Sequence, residues 1–315
     1  MLDNLVMIIP TYNRREYLCR VVEYYSSFPC KVYICDSSKE KADVENVGNV
    51  IYRWVPQSSF YEKILDVLNE TAAEYYALSP DDDFIKISTL LECLSALEED
   101  EQYAAGIGRQ LKFMKPFDGS FVCLESSNGL ANIMKECFLS ENDYVKYVAE
   151  NYQNILWSLY RRSVILKSFQ ILDRCSFLNG NFIEIILCIE TLKAGKFYLS
   201  NKGFNYRENA TQEHWGTIEL PITYDNIQKD CNLKIDMMKF KNYYHNDMIA
   251  NLWLTSYMDE RERISNMQHW YIFGYILAIL KKFVRILGKR GKNYNRTNKF
   301  YDDDMALLIS KVTAE

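Results

Sequence analysis

Short apolar runs alternate in the first part of the chain with segments whose apolar residues recur at helical spacing. The runs typical of buried strands cover residues 5–9, 31–35, 49–54 and 75–78. The helical patterns follow near residues 18–25, 60–68 and 87–97. Strands that alternate with helices predict an α/β fold in which helices flank a mostly parallel sheet.

The pattern becomes weaker towards the middle of the chain and changes after Pro221. Weak strands are predicted at 104–107 and 121–124, a charged helix at 143–152 and a helix from Arg161 onwards. A helix over 182–194 ends at Gly195, and a strand follows at 196–199. Beyond Pro221 only helices are predicted. We therefore expect an α/β catalytic domain over residues 1–216 and a helical C-terminal region over 217–315.

Composition narrows the class of protein. A hydrophobic fraction of 48% with 25% charged residues is typical of a globular chain and excludes a disordered one. The net charge of -5 argues against a nucleic-acid partner. Nine cysteines without a Cys-x-x-Cys pair, together with no export signal or ~20-residue apolar span, indicate a cytoplasmic protein with reduced thiols.

Three consecutive carboxylates, Asp81, Asp82 and Asp83, follow the strand at 75–78. The polar segments 10–14 and 36–38 also follow strands, and the carboxyl ends of parallel strands meet at one edge of a sheet. Clustered carboxylate oxygens at such an edge suit a hard divalent cation that also carries phosphates. The alternative is an ordinary solvated acidic loop.

The motifs argue against an NAD site and against a P-loop, and three of them together resemble a known family. No Gly-x-Gly-x-x-Gly follows the first strand, and no phosphate-binding loop with Gly-Lys-Ser/Thr is present. The segments 8–14 (IIPTYNR), 36–38 (DSS) and 79–83 (SPDDD) together resemble the family 2 glycosyltransferases with the GT-A fold. The resemblance covers roughly the first 215 residues.

The resemblance implies a binding site for a nucleotide-diphosphate sugar. Pro10, Thr11 and Arg14 match the first nucleotide-binding loop, and Asp36 matches the carboxylate that binds the base, typically uracil. The alternative for Asp36 is an Asx-turn or a helix cap.

The acidic triplet matches the Asp-x-Asp element of the family. By resemblance, Asp83 is the direct ligand of Mn²⁺ or Mg²⁺, and Asp81 contacts the ribose or a metal-bound water. Asp82 is expected only to cap the next helix. His214, in a later loop, would complete the metal coordination or touch the diphosphate; the alternative is a surface histidine packed beside Trp215.

An inverting transferase also needs a general base, which the family places at the start of a late helix. Glu184 matches that position and is the predicted base, although Ile185 stands where the family often has aspartate. The alternative is that Glu184 only complements the helix dipole. Glu190 is a second candidate, and Arg207 is a weaker candidate for neutralising the leaving diphosphate.

Residues 270–292 join an aromatic, apolar segment to a basic one. This pattern is typical of an interfacial helix, so we expect peripheral contact with the inner face of a membrane and a glycan or polyprenyl-linked acceptor. The alternative is a helix packed in the fold. A surface-polysaccharide glycosyltransferase is thus the first hypothesis; a sugar-phosphate nucleotidyltransferase and a non-catalytic nucleotide-sugar-binding module are the others.

Overall fold

The computed structural model describes residues 1–114, 122–125, 140–152, 154–208 and 219–269. The strands are β1 (Leu5–Thr11), β2 (Lys31–Asp36), β3 (Val50–Trp54), β4 (Tyr75–Leu78), β5 (Asp83–Ile85), β6 (Tyr103–Met114), β7 (Val122–Glu125), β8 (Leu159–Arg161) and β9 (Lys196–Glu208). The helices are α1 (Arg15–Tyr25), α2 (Phe60–Glu70), α3 (Ile87–Glu99), α4 (Glu141–Glu150), α5 (Arg162–Cys175), α6 (Asn181–Ala194), α7 (Tyr224–Lys229), α8 (Cys231–Tyr243) and α9 (Met248–His269).

The described strands form one sheet in the order β3-β2-β1-β4-β8-β6-β9-β5, with β7 paired to β6. Strands β1 to β4 pair in parallel, as the alternation of strands and helices predicts. Beyond β4 the sheet is mixed, because β8 runs antiparallel to both β4 and β6. The predicted α/β sheet with flanking helices and a helical C-terminal part is confirmed, and its parallel character belongs mainly to the first half.

Two strands were not predicted from the sequence. β8 and β5 are three residues each, too short to give a period-2 pattern. Both are antiparallel additions that pair with neighbours distant in the chain, β8 with β4 and β5 with β9. Their pairing depends on tertiary contacts and has little local signal.

Side chains of β1 alternate between two hydrophobic clusters, one on each face of the sheet. Val6 and Ile8 pack in the cluster that contains residues of α2, α5 and α6, whereas Met7 and Ile9 pack against α1 and α3. Trp253 and other residues of the C-terminal helices belong to the first of these clusters. The predicted boundary near 216 lies among residues 209–218, outside the described residues. None of the described helices is long and apolar enough to span a bilayer.

Asp236 connects α8 to the turn before α6. It is fully buried, and its Oδ2 accepts hydrogen bonds of 2.8 Å from the backbone N–H groups of Leu178 and Asn179. Lys239 lies 3.4 Å from the other carboxylate oxygen. The C-terminal helices thereby hold the segment that leads into α6.

We predict that Asp236→Ala lowers the free energy of unfolding by about 1–3 kcal/mol, because one buried and one partly buried N–H group lose their acceptor. Denaturant unfolding measures this change. Asp236→Asn keeps an acceptor oxygen and should cost less. Asp225→Ala, which removes only an exposed pair with Lys229, is the matched control and should change stability by under about 1 kcal/mol. Equal losses for Asp236→Ala and Asp225→Ala would contradict the role of Asp236.

Candidate active site

One cavity of about 600 Å³ opens at the sheet edge where β1, β2 and β4 end. Its wall includes residues from the loops after these strands, from the segment before β8, from the start of α6 and from the end of β9. The predicted site residues that line it are Pro10, Thr11, Arg14, Asp81, Asp83, Glu184 and Arg207. The fold therefore gathers residues up to about 200 positions apart.

Arg14 binds two of the three consecutive carboxylates. Its Nη1 donates to Oδ1 of Asp81 at 2.9 Å and to Oδ2 of Asp82 at 2.6 Å. The Thr11 hydroxyl donates to the other Asp81 oxygen at 2.6 Å. Burial raises the pKa of Asp81 and the Asp82 charge adds to the rise, whereas Thr11 and Arg14 oppose it. The triplet is thus a buried, paired cluster and not a solvated loop.

The structure corrects the expected role of Asp82. Helix α3 begins after Lys86, which makes no side-chain cap, so Asp82 does not cap it. Asp82 is buried, lines the cavity and pairs with Arg14. The prediction was wrong because β5 separates the triplet from the helix.

Asp83 begins β5 and lies opposite Arg207 of β9. Its Oδ2 accepts from Nδ2 of Asn205 at 3.3 Å. The buried Tyr25 hydroxyl shapes this segment, since it contacts Ser79 at 2.8 Å and accepts from the Ile85 N–H at 2.9 Å. This packing brings Asp83 to the cavity wall beside Arg207.

Asp36 ends β2 and is almost completely buried. One carboxylate oxygen accepts from the Ser38 N–H at 2.8 Å and from the Ser38 hydroxyl, and the other accepts from Tyr52 at 2.7 Å. This is the Asx-turn arrangement that the sequence left open. Ser37, and not Asp36, is among the residues that line the cavity. The contact of Asp36 with a base stays a prediction.

Lys63 is a cavity residue that the sequence analysis missed. It extends from α2, and its ammonium donates to the Thr11 carbonyl at 2.8 Å and to the Ser37 hydroxyl at 3.0 Å. Burial lowers its pKa to about 8, against the opposing effect of nearby acidic groups including Asp36 and Asp81. A signal existed in the sequence, because Lys63 lies on the apolar face of α2 between Phe60 and Ile64.

Glu184 lies in the first turn of α6 on the cavity wall. Oε1 accepts from Asn154 at 2.7 Å, and Oε2 accepts a short hydrogen bond from the Tyr152 hydroxyl. Burial raises the pKa of Glu184, opposed by the Tyr152 hydrogen bond and by the charges of Arg207 and Arg261. A glutamate with a raised pKa is a stronger base than an exposed one.

Glu190 is the one remaining candidate within the described residues, and it does not join this site. Glu190, on the same helix, accepts from Tyr244 at 2.8 Å and from Lys193 at 3.2 Å, and it does not line the cavity. His214 and residues 270–292 lie outside the described residues. Their predicted roles stay predictions.

The acidic edge of the cavity, formed by Asp81, Asp82 and Asp83, has donors that suit a divalent cation shared with a diphosphate. Within the described ranges, no three His, Cys, Asp or Glu side chains lie where they could hold one ion together. Mg²⁺, however, is usually held by one or two carboxylates plus substrate phosphates. Asp83 and Asp81 supply that number. Asn205 adds no further ligand, because its amide nitrogen faces Asp83 and the residue does not line the cavity.

Comparisons with known proteins found similar solved structures only. No family model and no curated protein matches the chain. Residues 1–349 of S. aureus TarS in complex with UDP-GlcNAc match with 12% identity and a TM-score of 0.49, over 81% of this chain and 73% of that one. The complex of TarS 1–349 with UDP matches with 13% identity and a TM-score of 0.46, over 80% and 70%.

We predict that Arg14→Met destabilises the protein more at pH 8 than at pH 5. Without the guanidinium, the pKa of Asp81 rises further above its unfolded value. Between about pH 3.9, the pKa of an aspartate in the unfolded chain, and the higher pKa of Asp81 in the folded variant, the native state binds more protons than the unfolded state. The free energy of unfolding therefore falls as the pH rises through this range. The expected loss at pH 8 is about 3 kcal/mol, measured by denaturant unfolding at both pH values.

Arg15→Met is the matched control, because Arg15 is the exposed neighbour of Arg14. It should change stability little at either pH. An Arg14→Met effect that is equal at pH 5 and pH 8 would show that the guanidinium does not balance the carboxylates.

Proposed function

We propose that the chain is a glycosyltransferase that uses a nucleotide-diphosphate sugar as donor. One observation carries the proposal: a single cavity joins a paired cluster of acidic and basic groups at the strand ends to Glu184, a carboxylate with a raised pKa. Cationic groups suit a diphosphate, and a basic carboxylate suits the activation of an acceptor hydroxyl.

The donor side of the cavity is the edge formed by the loops after β1, β2 and β4. Arg14, Lys63 and Arg207 bring three cationic side chains to its wall, and each can stabilise phosphate charge. The residues that match the family motifs, Pro10 and Thr11, lie on the same wall. A UDP-sugar is the proposed donor, on the basis of the motif resemblance and of Asp36 after β2.

We propose a single displacement with inversion at the anomeric carbon. Glu184 takes the proton of the acceptor hydroxyl as the hydroxyl oxygen bonds to the anomeric carbon. The bond from that carbon to the diphosphate oxygen breaks in the same step, and the electron pair leaves with the nucleoside diphosphate. Arg207 lies between the two sides of the cavity: it pairs in register with Asp83, and its charge reaches Glu184.

A divalent cation, Mn²⁺ or Mg²⁺, would be held by Asp83 with support from Asp81, and by His214 if that residue reaches the site. When bound, it supplies positive charge to the leaving diphosphate. Glu184, Arg207 and Lys63 act on the substrate independently of that ion. Membership in family 2 likewise remains a proposal.

We further propose a glycan or polyprenyl-linked acceptor in surface-polysaccharide synthesis, and peripheral contact of the basic segment 281–292 with an anionic inner membrane face. The support is the sequence pattern alone: six Lys or Arg residues and no acidic residue in that segment.

We predict that UDP or a UDP-sugar raises the melting temperature, and does so more in the presence of Mn²⁺ or Mg²⁺. A ligand at one hundred times its Kd stabilises by about 2.7 kcal/mol. A thermal-shift panel of nucleoside diphosphates with each base, with and without metal, measures this. No shift with any nucleotide or nucleotide sugar would overturn the proposal.

We predict that Glu184→Gln retains donor binding and loses turnover by about 10²–10⁴-fold, because proton transfer is lost while the shape is kept. Nucleoside diphosphate release with an acceptor present measures turnover. For the wild type, the acid limb of kcat should lie above the ordinary glutamate pKa, as the raised pKa of Glu184 requires.

Glu190→Gln is the matched control, because Glu190 lies on the same helix but away from the cavity. It should keep normal turnover. Near-normal turnover in Glu184→Gln would remove that residue from the mechanism.

A further inference from the structure

Tyr152 connects the proposed base to the C-terminal helices. It follows α4, and its hydroxyl donates the short hydrogen bond to Oε2 of Glu184. Burial and the Glu184 charge raise the pKa of Tyr152 well above its ordinary value, so the hydroxyl keeps its proton and acts as a donor. With Asn154 on Oε1, both carboxylate oxygens are held from one short segment.

Two rings of α9 contact the Tyr152 ring. Trp253 and Tyr257 stack on each other with centroids 5.0 Å apart. The Tyr152 ring meets each of them nearly perpendicularly, with centroids 5.5 Å apart in both pairs. Edge-to-face contacts of this kind favour one orientation of a ring. Trp253 is fully buried, so the position of α9 determines where Tyr152 can lie.

We propose that Tyr152 is a positioning residue, which holds the Glu184 carboxylate in one orientation, and that Trp253 and Tyr257 fix Tyr152 in place. The helical C-terminal part then belongs to the catalytic unit and is not a separable appendage. This inference rests on the proposed role of Glu184 as the base.

Other groups also shift the pKa of Glu184, and their effects must be distinguished from that of Tyr152. Arg207 of β9 and Arg261 of α9 lower the pKa of Glu184 by their charges, and Arg261 lies 4.9 Å above the Tyr257 ring. The titratable or charged groups that face Glu184 or Tyr152 from the surrounding elements are Tyr160, Cys188, Arg207, Tyr257 and Arg261. Of the tyrosines, Tyr152 is the one that donates directly to the carboxylate among the described residues.

The test is a ¹³C NMR titration of the Glu184 carboxyl in the full chain, labelled at glutamate Cδ. Glu184→Gln identifies the resonance. Tyr152→Phe removes a donor that favours the ionised form, so the pKa of Glu184 should rise by about one unit. The acid limb of kcat should move to higher pH by the same amount. An unchanged titration in Tyr152→Phe would overturn the proposal even if turnover falls.

Tyr144→Phe is the matched control. Tyr144 is a buried tyrosine of α4 whose hydroxyl accepts from the Phe197 N–H at 3.1 Å, and the charge of Glu184 is not among the causes that raise its pKa. It should destabilise the protein without changing the Glu184 titration. A shift as large as that of Tyr152→Phe would show that loss of stability, and not the hydrogen bond, moves the pKa.

Trp253→Leu tests the aromatic contact with Tyr152. It is also a second test of the proposal if Tyr152→Phe does not fold. It should shift the Glu184 titration in the same direction as Tyr152→Phe. In the Tyr152→Phe background it should add no further shift, because the hydroxyl through which it acts is gone. Additive shifts would overturn the link through Tyr152.

The outcomes for the base and for Tyr152 are separate. If Glu184→Gln keeps normal turnover, the proposed function of Glu184 fails, whereas the NMR titration still decides whether Tyr152 positions it. If Glu184→Gln is inactive and Tyr152→Phe leaves the titration unchanged, only the positioning role fails.

Discussion

The antiparallel pairing of β8 with β4 is the constraint on which the cavity depends. Because Ala77 pairs with Leu159, the chain that leaves β4 at Asp81 meets the chain that enters β8 from Asn154. β6 and β9 then run parallel to β4, so the end of β9 with Arg207 reaches the same edge. Helix α6 precedes β9 and runs back against it, which brings its first turn with Glu184 to that edge as well.

Charge balance decides how the acidic edge can be buried. Three consecutive carboxylates would repel one another in a low-dielectric environment. Arg14 offsets the charges of two of them directly. Lys63, whose pKa is lowered to about 8, lies on the wall of the same cavity. The edge is therefore a network of compensated charges, and under the proposed function a diphosphate would enter it by exchanging partners. Such a network is costly to break and suited to an anionic ligand.

The sequence predicted the parallel half of the fold well, because buried strands and amphipathic helices there carry strong periodic patterns. It also predicted Asp81, Asp83 and Glu184 as site residues; the fold brings them to one cavity, and their roles stay predictions. It did not predict β5 and β8, whose three-residue strands form only through distant partners. Asp82 was misassigned for that reason, since β5 lies between the triplet and the helix that begins at Ile87.

Lys63 and Tyr152 were missed for a different physical reason. Each is a common residue type whose function comes from the contact it makes and not from its neighbours in sequence. Lys63 interrupts an apolar helix face, which is a weak signal, and Tyr152 is one of 24 tyrosines. Only the hydrogen bond to Glu184 and the rings of α9 distinguish Tyr152 from packing residues.

A crystal structure of the full chain with bound UDP and Mn²⁺ tests the central claim most directly. The account predicts the diphosphate in the cavity between Arg14, Asp83 and Arg207, with Glu184 facing the open side where a sugar would extend. Nucleotide density elsewhere on the protein, with this cavity filled only by solvent, would contradict it.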